Sequence, residues 1–415
     1  MWFPPPSDSD SANGYMPRKL NVLDSYYGSE SELKSAISAI TDSNTYALAD
    51  IVINHRVGTS NWGTFTDPDW GTVSGQKYYC ICSDDEGFSY SSSDMYNVSA
   101  RGNADTGDGY SSARDLDHTN WDLQENIVSW MTDYLIAAGF KGWRYDYVKG
   151  YEGKYLGWYN AKTSAVFSVG EYWPTDSFSS SSPSTWSSLM CNWVDSTSES
   201  IKATSDDYSS MDDDTINGRD KAGSASKVFD FVLKGMFNAV FGSSTGSSDG
   251  DYSLLASEYM VFRKKPGYAV TFVDNHDCGS TQALWTIDSD DVGVCYAYIL
   301  THPGYPCVAW QHYFTADESF DTTVSSDASQ YMGGDTVPGT SYTYREFIRA
   351  LIALRMEMGI TETSSISVTS SSTQYIAYVT GTNGTLEVVI GDGLSSTPSD
   401  YTARCKGTKF QIYSK

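Results

Sequence analysis

Apolar residues recur in two alternating patterns along most of this chain. Ser31 to Ile40 places Leu33, Ile37 and Ile40 on one face, which predicts a helix with Ser29 or Ser31 near its cap. Ala47 to Ile53 is continuously apolar apart from Asp50 and reads as a buried strand ending in Asn54-His55-Arg56. Asn120 to Ala138 is amphipathic, and Gly142 to Tyr147 is a short β-compatible run. The pattern then repeats. Helices are expected near 152–163, 184–203, 233–241, 292–300 and 344–358. Strands are expected at 165–169, 227–231, 268–273 and 306–310. Trp2 and Phe3 read as the last residues of a strand, ended by Pro4 to Pro6.

Apolar strands alternating with helices imply a parallel sheet with helices outside it. Two stretches break the rhythm. Residues 57–117 are rich in Gly, Ser, Asp and Tyr, and a structureless loop of that length is implausible, so they predict an inserted, loop-rich domain. From about 361 the chain turns to short Thr-, Val- and Tyr-rich strands at 374–379, 385–390 and 408–413, a separate antiparallel domain. The division is therefore barrel residues 1–56, insert 57–117, barrel 118–360 and β-domain 361–415. Residues 204–226 are polar and of low complexity, an expected exposed excursion.

Composition narrows the function. Among 415 residues, 52 acidic and 27 basic side chains leave a formal charge of −25, which argues against nucleic acid and anionic membrane as partners. No apolar run approaches membrane-spanning length. The 31 Tyr and 12 Trp would suit sugar stacking wherever they are exposed. Seven cysteines cannot all pair; Cys80 and Cys82 are too close for an easy mutual disulfide, and no zinc spacing occurs. Cys191, Cys278, Cys295 and Cys307 are expected as buried thiols. Asn97 and Asn383 are glycosylation acceptors only in a secreted protein.

The chemistry gathers at strand ends. Arg144 and Asp146 lie two apart on one strand, so their side chains share a face. On that stretch alone, a structural ion pair and a carboxylate held ionised for nucleophilic work are both open. His55, Glu171, His276 and Asp277 also stand at strand ends, and in a parallel barrel those ends open on one face, where active sites form. Three carboxylates on three strands, with two histidines and an arginine, favour catalysis.

Four segments carry a resemblance. ADIVINHR (49–56), GFKGWRYDYVKGY (139–151), GEYW (170–173) and FVDNHD (272–277) resemble the signature regions of the α-amylase family of glycoside hydrolases, most closely its plant-type members. WFPPPS, GYMP, SELKSAI, DLDH, VFDF and YAYILTHPGYPC are similarly plant-like. The resemblance implies an α/β fold, a (β/α)8 TIM barrel with a domain inserted after the third strand and a C-terminal antiparallel β-domain. It implies endo-hydrolysis of α-1,4-glucosidic bonds in starch or glycogen-like glucans, with retention. Asp146 matches the nucleophile, Glu171 the general acid/base and Asp277 the third carboxylate. Retention needs two carboxyl groups about 5–5.5 Å apart, one ionised and one protonated. Arg144 would favour ionisation of Asp146, and the rings of Tyr172 and Trp173 would desolvate Glu171. Tyr15, His55, Arg144, Lys149, Trp173 and His276 match substrate-binding positions. Asn54, Asp105, Asp115 and the Gly150 carbonyl match a calcium site, all oxygen donors as Ca2+ requires. Gly109 stands where plant sequences often carry a carboxylate, and Asp84, Asp85 and Asp94 read as solvated loop acids. Lys264-Lys265 replace a Trp-Trp starch platform, so granule adsorption is expected to be weak.

In that alignment Trp2 falls at the end of the second barrel strand. The first strand, the first helix and most of the second strand are then expected to be missing, leaving two unpaired edges, a gap in the barrel wall and a chain that, expressed alone, aggregates or lacks activity. A monomer is expected, in an extracellular or secretory/vacuolar-type compartment. The alternatives are a glucanotransferase or oligosaccharide-specific hydrolase of the same family, and an inactive truncated glucan-binding protein.

Overall fold

A computed structural model describes residues 1–59, 65–70, 80–86, 102–201, 223–242, 250–278, 285–318, 331–391, 394 and 398–415. The chain divides into two compact units, Met1–Trp173 with Asn192–Lys227, and Pro174–Cys191 with Val228–Lys415. Asp94, Asn97 and most of the 204–226 excursion lie outside the described residues.

In the first unit four parallel strands lie side by side in the order Trp2–Phe3, Leu48–Ile51, Gly142–Tyr145 and Ser168–Gly170. Helix Glu30–Asp42 opens with a capping box between Ser29 and Glu32 and buries Ile37, with Leu33 and Ile40 half-buried beside it. The long amphipathic stretch is helical as Trp121–Trp130 but widens to π-type turns over Met131–Ile136. Strand parity is visible in Gly142–Tyr145. Trp143 and Tyr145 point outward, bonding Thr163 (2.9 Å) and Asn160 (3.1 Å) of helix Gly153–Thr163. Arg144 and Asp146 therefore point to the opposite face.

In the second unit Val228–Phe229, Ala269–Phe272 and Tyr305–Cys307 are parallel neighbours. A five-stranded antiparallel sheet follows in the order Ser365–Ser371, Gln374–Thr380, Thr385–Gly391, Phe410–Ser414, Thr402–Lys406. Two of those strands escape the sequence reading. Ser365–Ser371 and Thr402–Lys406 are mostly exposed and polar, so their identity comes from ladder pairing rather than an apolar run. Expected boundaries also move. The 184–203 helix ends at Ser196, the 227–231 strand stops at Phe229 because Asp230 caps a helix from Phe231, and Trp310 belongs to a helical turn, Trp310–Tyr313. All seven cysteines are free thiols, with Cys191 and Cys307 half-buried rather than buried.

His302 joins helix Val292–Thr301 to the β-sheet. Its ring is fully buried, stacks on Tyr298 at 3.9 Å, and places Nε2 2.7 Å from the Tyr375 hydroxyl. Burial pushes its pKa down to about 3, so the folded state holds it neutral. The unfolded chain takes up a proton near the ordinary histidine pKa of about 6.5. This stabilisation is therefore full above about 6.5 and is lost as pH falls toward 3. Replacing His302 with Ala should cost about 2–4 kcal/mol at pH 7.5 through a cavity and a stranded hydroxyl. In urea titrations the variant should also lose less stability than the parent between pH 7 and 4; parallel acid limbs would refute the buried neutral ring.

Candidate active site

The site is built on the inward parity of two neighbouring strands. Asp50 and Arg144 are directly opposed in the register of Leu48–Ile51 with Gly142–Tyr145. Arg144 is 1 % exposed, and its guanidinium serves three carboxylates at once. Nη1 lies 2.8 Å from Asp50 Oδ1 and 2.7 Å from Asp146 Oδ1, and Nη2 lies 2.8 Å from Glu171 Oε1. Burial opposes the arginine's charge, but Asp50 and Glu171 outweigh it and hold the group firmly protonated. One cation facing three potential anions leaves negative charge in surplus, so a proton on one carboxyl is easily accommodated.

Glu171 follows Ser168–Gly170 directly. Gly170 is obligatory, since a Cβ there would fall 2.3 Å from the Trp193 ring. The second Glu171 oxygen accepts from Tyr147 N–H at 3.3 Å. Tyr147 is left-handed, with φ 46°, which costs about 1–2 kcal/mol in a non-glycine residue. Its hydroxyl donates to the Gly109 carbonyl at 3.0 Å, fixing the strained turn to the insert. The Tyr172 ring leans toward Trp193 at 6.1 Å, and Trp173 is half-buried. Lys149 Nζ stands 4.9 Å over the Tyr147 ring and 3.9 Å from Asp108; burial lowers its pKa.

Tyr15 and His55 join the same cluster. The Tyr15 hydroxyl donates to Asp50 Oδ2 at 2.7 Å, and Trp2 Nε1 reaches the same oxygen at 3.0 Å. His55 Nε2 is 2.9 Å from the Tyr15 carbonyl, and its ring stacks on Tyr110 at 3.9 Å. Burial lowers the His55 pKa. His276 and Asp277 belong to the second unit. There Asp277 N–H bonds Asn275 Oδ1 at 3.1 Å and its carboxyl lies 3.5 Å from His276 Nε2. The strand end before them is held by fully buried Lys234, which bonds Asp274 and the Trp285 carbonyl, while His312 stands 3.7 Å from Asp274.

Two site residues escape the sequence reading. Asp50 is noticed there only as an interruption, and Lys234 lies inside an apolar helix. The available signal for Asp50 is parity: an acid in a buried strand, opposite an arginine of the same face.

The expected calcium donors are neighbours. Asn54 Nδ2 is 3.2 Å from Asp115 Oδ1, and a Cβ on Gly150 would lie 1.8 Å from Asn54 Oδ1. Asp105 Oδ1 accepts from Thr106 and Gly107 N–H, while its Oδ2 is buried with no hydrogen-bond partner. Burial pushes Asp105 up to about 6 and Asp115 to about 9, with Asp84, Asp85 and Glu86 adding repulsion. Such carboxyls suit a missing positive charge. Among the described residues no three His, Cys, Asp or Glu form a metal cluster; this donor set has two carboxylates, an amide and a carbonyl. Asp85 is a correction. It is buried, pairs with Arg114 and accepts Asp115 N–H at 2.8 Å, so it braces the insert rather than facing solvent. Gly109 faces the Glu86 carboxylate, 1.4 Å from where a Cβ would stand, so a larger residue would displace Glu86.

With strand-end carboxylates on a parallel βα framework, the class of protein is a glycoside hydrolase of barrel type. A family model described as the α-amylase catalytic domain matches residues 1–313, and the chain belongs to the α-amylase family. It is 30% identical over 419 residues to "Probable alpha-amylase 2" of Arabidopsis thaliana, spanning 100% of this chain and 86% of that one. It is 31% identical over 324 residues to the chloroplastic "Alpha-amylase 3" of the same plant, covering 76% of this chain and 32% of the relative. Among solved structures, a cyclomaltodextrin glucanotransferase with a three-domain ABC distribution shares the fold at TM-score 0.66 and 14% identity, over 100% of this chain and 86% of that one. An α-amylase from Malbranchea cinnamomea shares it at TM-score 0.62 and 17% identity, over 94% and 73%. Among the described residues, no helix is long and apolar enough to cross a membrane.

Asp50 should control the cluster electrostatically. Burial pushes its carboxyl up to about 6, against about 3.9 when unfolded. The folded state therefore binds its proton more tightly, and this contribution is fully present below about 4 and lost as pH rises through about 6. Asp50→Asn should remove up to one proton from the difference between folded and unfolded uptake in that window, read by urea denaturation at stepped pH. Asp50→Ala should cost about 3–5 kcal/mol at neutral pH, because Tyr15, Trp2 and Arg144 lose an acceptor. An unchanged pH slope in the Asn variant, with an Ala variant as stable as the parent, would contradict this placement.

Proposed function

We propose that this protein hydrolyses internal α-1,4-glucosidic bonds of starch or glycogen-like glucans by double displacement with retention. The observation that carries the reading is the Arg144 guanidinium bonded to both the Asp146 and Glu171 carboxyls. Asp146, ionised beside the arginine, attacks the anomeric carbon. Glu171 gives its proton to the departing glycosidic oxygen, then takes one from the water that releases the sugar. Asp277 stabilises the oxocarbenium-like charge, His55 and His276 bind sugar hydroxyls, and Tyr15 offers its ring to the sugar before the cleaved bond. Trp173 and Lys149 serve the other side of the cleft. The polymer is the partner; the enzyme works as a monomer in an extracellular or secretory setting, without nucleic acid or membrane.

Asp146→Asn, Glu171→Gln and Asp277→Asn should each lower kcat on soluble starch by about three orders of magnitude or more, with circular dichroism unchanged. Near-parental turnover in any one of them removes that residue's role. Glucan transfer is the second reading, favoured by the fold shared with a cyclomaltodextrin glucanotransferase. Cyclic or elongated products on chromatography would select it.

We also infer that Asn54, Asp105, Asp115 and the Gly150 carbonyl hold Ca2+, which would supply the positive charge their surroundings lack. Asn54 follows a sheet strand and Asp105 and Asp115 belong to the insert, so the ion's effect is on stability. Chelation should lower the melting temperature and calcium restore it, by about 2.7 kcal/mol at a hundredfold excess over Kd. Asp105→Ala should abolish the calcium-dependent shift. Superimposable melting curves with and without chelator would remove the site.

A further inference from the structure

Two tyrosines stand at the tip of a tight turn in the first unit. Ser25 and Gly28 close a two-residue hairpin through paired backbone bonds of 3.0 and 3.3 Å, with Tyr26 and Tyr27 between them. Gly28, at φ 145°, adopts a conformation that side chains rarely reach. The turn is fastened on both sides. Leu23 before it is buried, and Asp24 accepts from Glu30 N–H at 2.8 Å, tying it to the start of helix Glu30–Asp42. Yet Tyr26 is 68 % exposed and Tyr27 41 % exposed. Tyr26, on a turn fixed at both ends, leaves most of its surface in solvent, whereas tyrosine offers a broad, amphipathic face at low entropic cost to a ligand.

The turn is also wired to the candidate site. Tyr27 OH donates to the Asn13 carbonyl at 3.2 Å, and Asn13 Oδ1 accepts from Tyr15 N–H at 3.3 Å. Tyr15 in turn bonds Asp50, which meets Arg144. Charged groups flank the rings. Arg18, in bidentate contact with Asp8 and 3.5 Å from Asp10, lies close enough to Tyr26 to feel its hydroxyl. Ring faces beside fixed, partly exposed donors and acceptors match the two sides of a glucose unit, its apolar C–H face and its hydroxyl rim.

We propose that Tyr26 and Tyr27, with Arg18 and Asp10 beside them, form an outlying α-glucan subsite that holds the chain beyond the Tyr15 position and favours long substrates. The inference rests on the glucan-cleft reading above. It adds a binding element to it and no chemical step.

The test compares maltoheptaose with a chromogenic maltotrioside in the full chain. Tyr26→Ala and Tyr26→Ala/Tyr27→Ala should lower the long-to-short ratio of kcat/KM about tenfold, the scale of one stacked ring. Tyr27→Phe keeps the ring and should keep most of the ratio. An unchanged ratio in the double variant overturns the proposal, as does an equal loss on both substrates. Maltoheptaose binding by calorimetry is measured in parallel. Parental binding weakened about tenfold in the double variant, in a protein that turns over neither substrate, would sustain the subsite and sink the catalytic reading. Parental turnover with the ratio unmoved would do the reverse.

Discussion

One buried guanidinium sets the terms for the first unit. Arg144 cannot shed its proton, and it works against burial, which still pushes Asp50, one of the carboxyls it touches, up to about 6. Three of them touch it, so they cannot all be satisfied by one charge. The surplus makes the cluster expensive to assemble in a low-dielectric interior. The surrounding structure offsets that cost with hydrogen bonds: Tyr15 and Trp2 on Asp50, and Tyr147 N–H on Glu171. The same surplus is what a retaining glycosidase needs, since one carboxyl has to be ionised while its neighbour carries a proton.

Strain and charge both concentrate around this centre. Tyr147 sits in a left-handed conformation between the nucleophile candidate and the first donors of the calcium candidate. Its hydroxyl and the Asp108 N–H, which bonds the Lys149 carbonyl at 2.9 Å, stitch the insert to the turn after the strand. The turn bearing Tyr147 and the insert are therefore coupled through a few hydrogen bonds. In the insert, burial and neighbouring acids push Asp105 up to about 6 and Asp115 up to about 9.

The barrel pattern was legible because it depends on local, repeated physics. Apolar strands between amphipathic helices leave a period that survives any details of packing, and Tyr344–Met358 appears with its expected ends, between a Thr343–Glu346 capping box and Gly359. Boundaries drifted where caps or ladders decide them. Asp230 turns a strand into a helix two residues early, and Ser365–Ser371 is a strand because Gln374–Thr380 pairs with it. Asp85 looked like a solvated acid because burial of a loop carboxylate depends on a distant arginine, here Arg114, 29 residues away.

From its sequence alone, this protein's strand-helix alternation, its strand-end Asp146, Glu171 and Asp277, and the shared parity of Arg144 with Asp146 could be determined. Parity follows from backbone geometry two residues apart and needs no partner. Only the tertiary structure decided that Asp50 meets Arg144, that Glu171 shares that guanidinium, and that Tyr27 is fastened to the loop of Tyr15. Those contacts join residues 94, 27 and 14 positions apart. No local preference encodes them; they exist because strand register and loop closure bring separated groups into hydrogen-bonding distance.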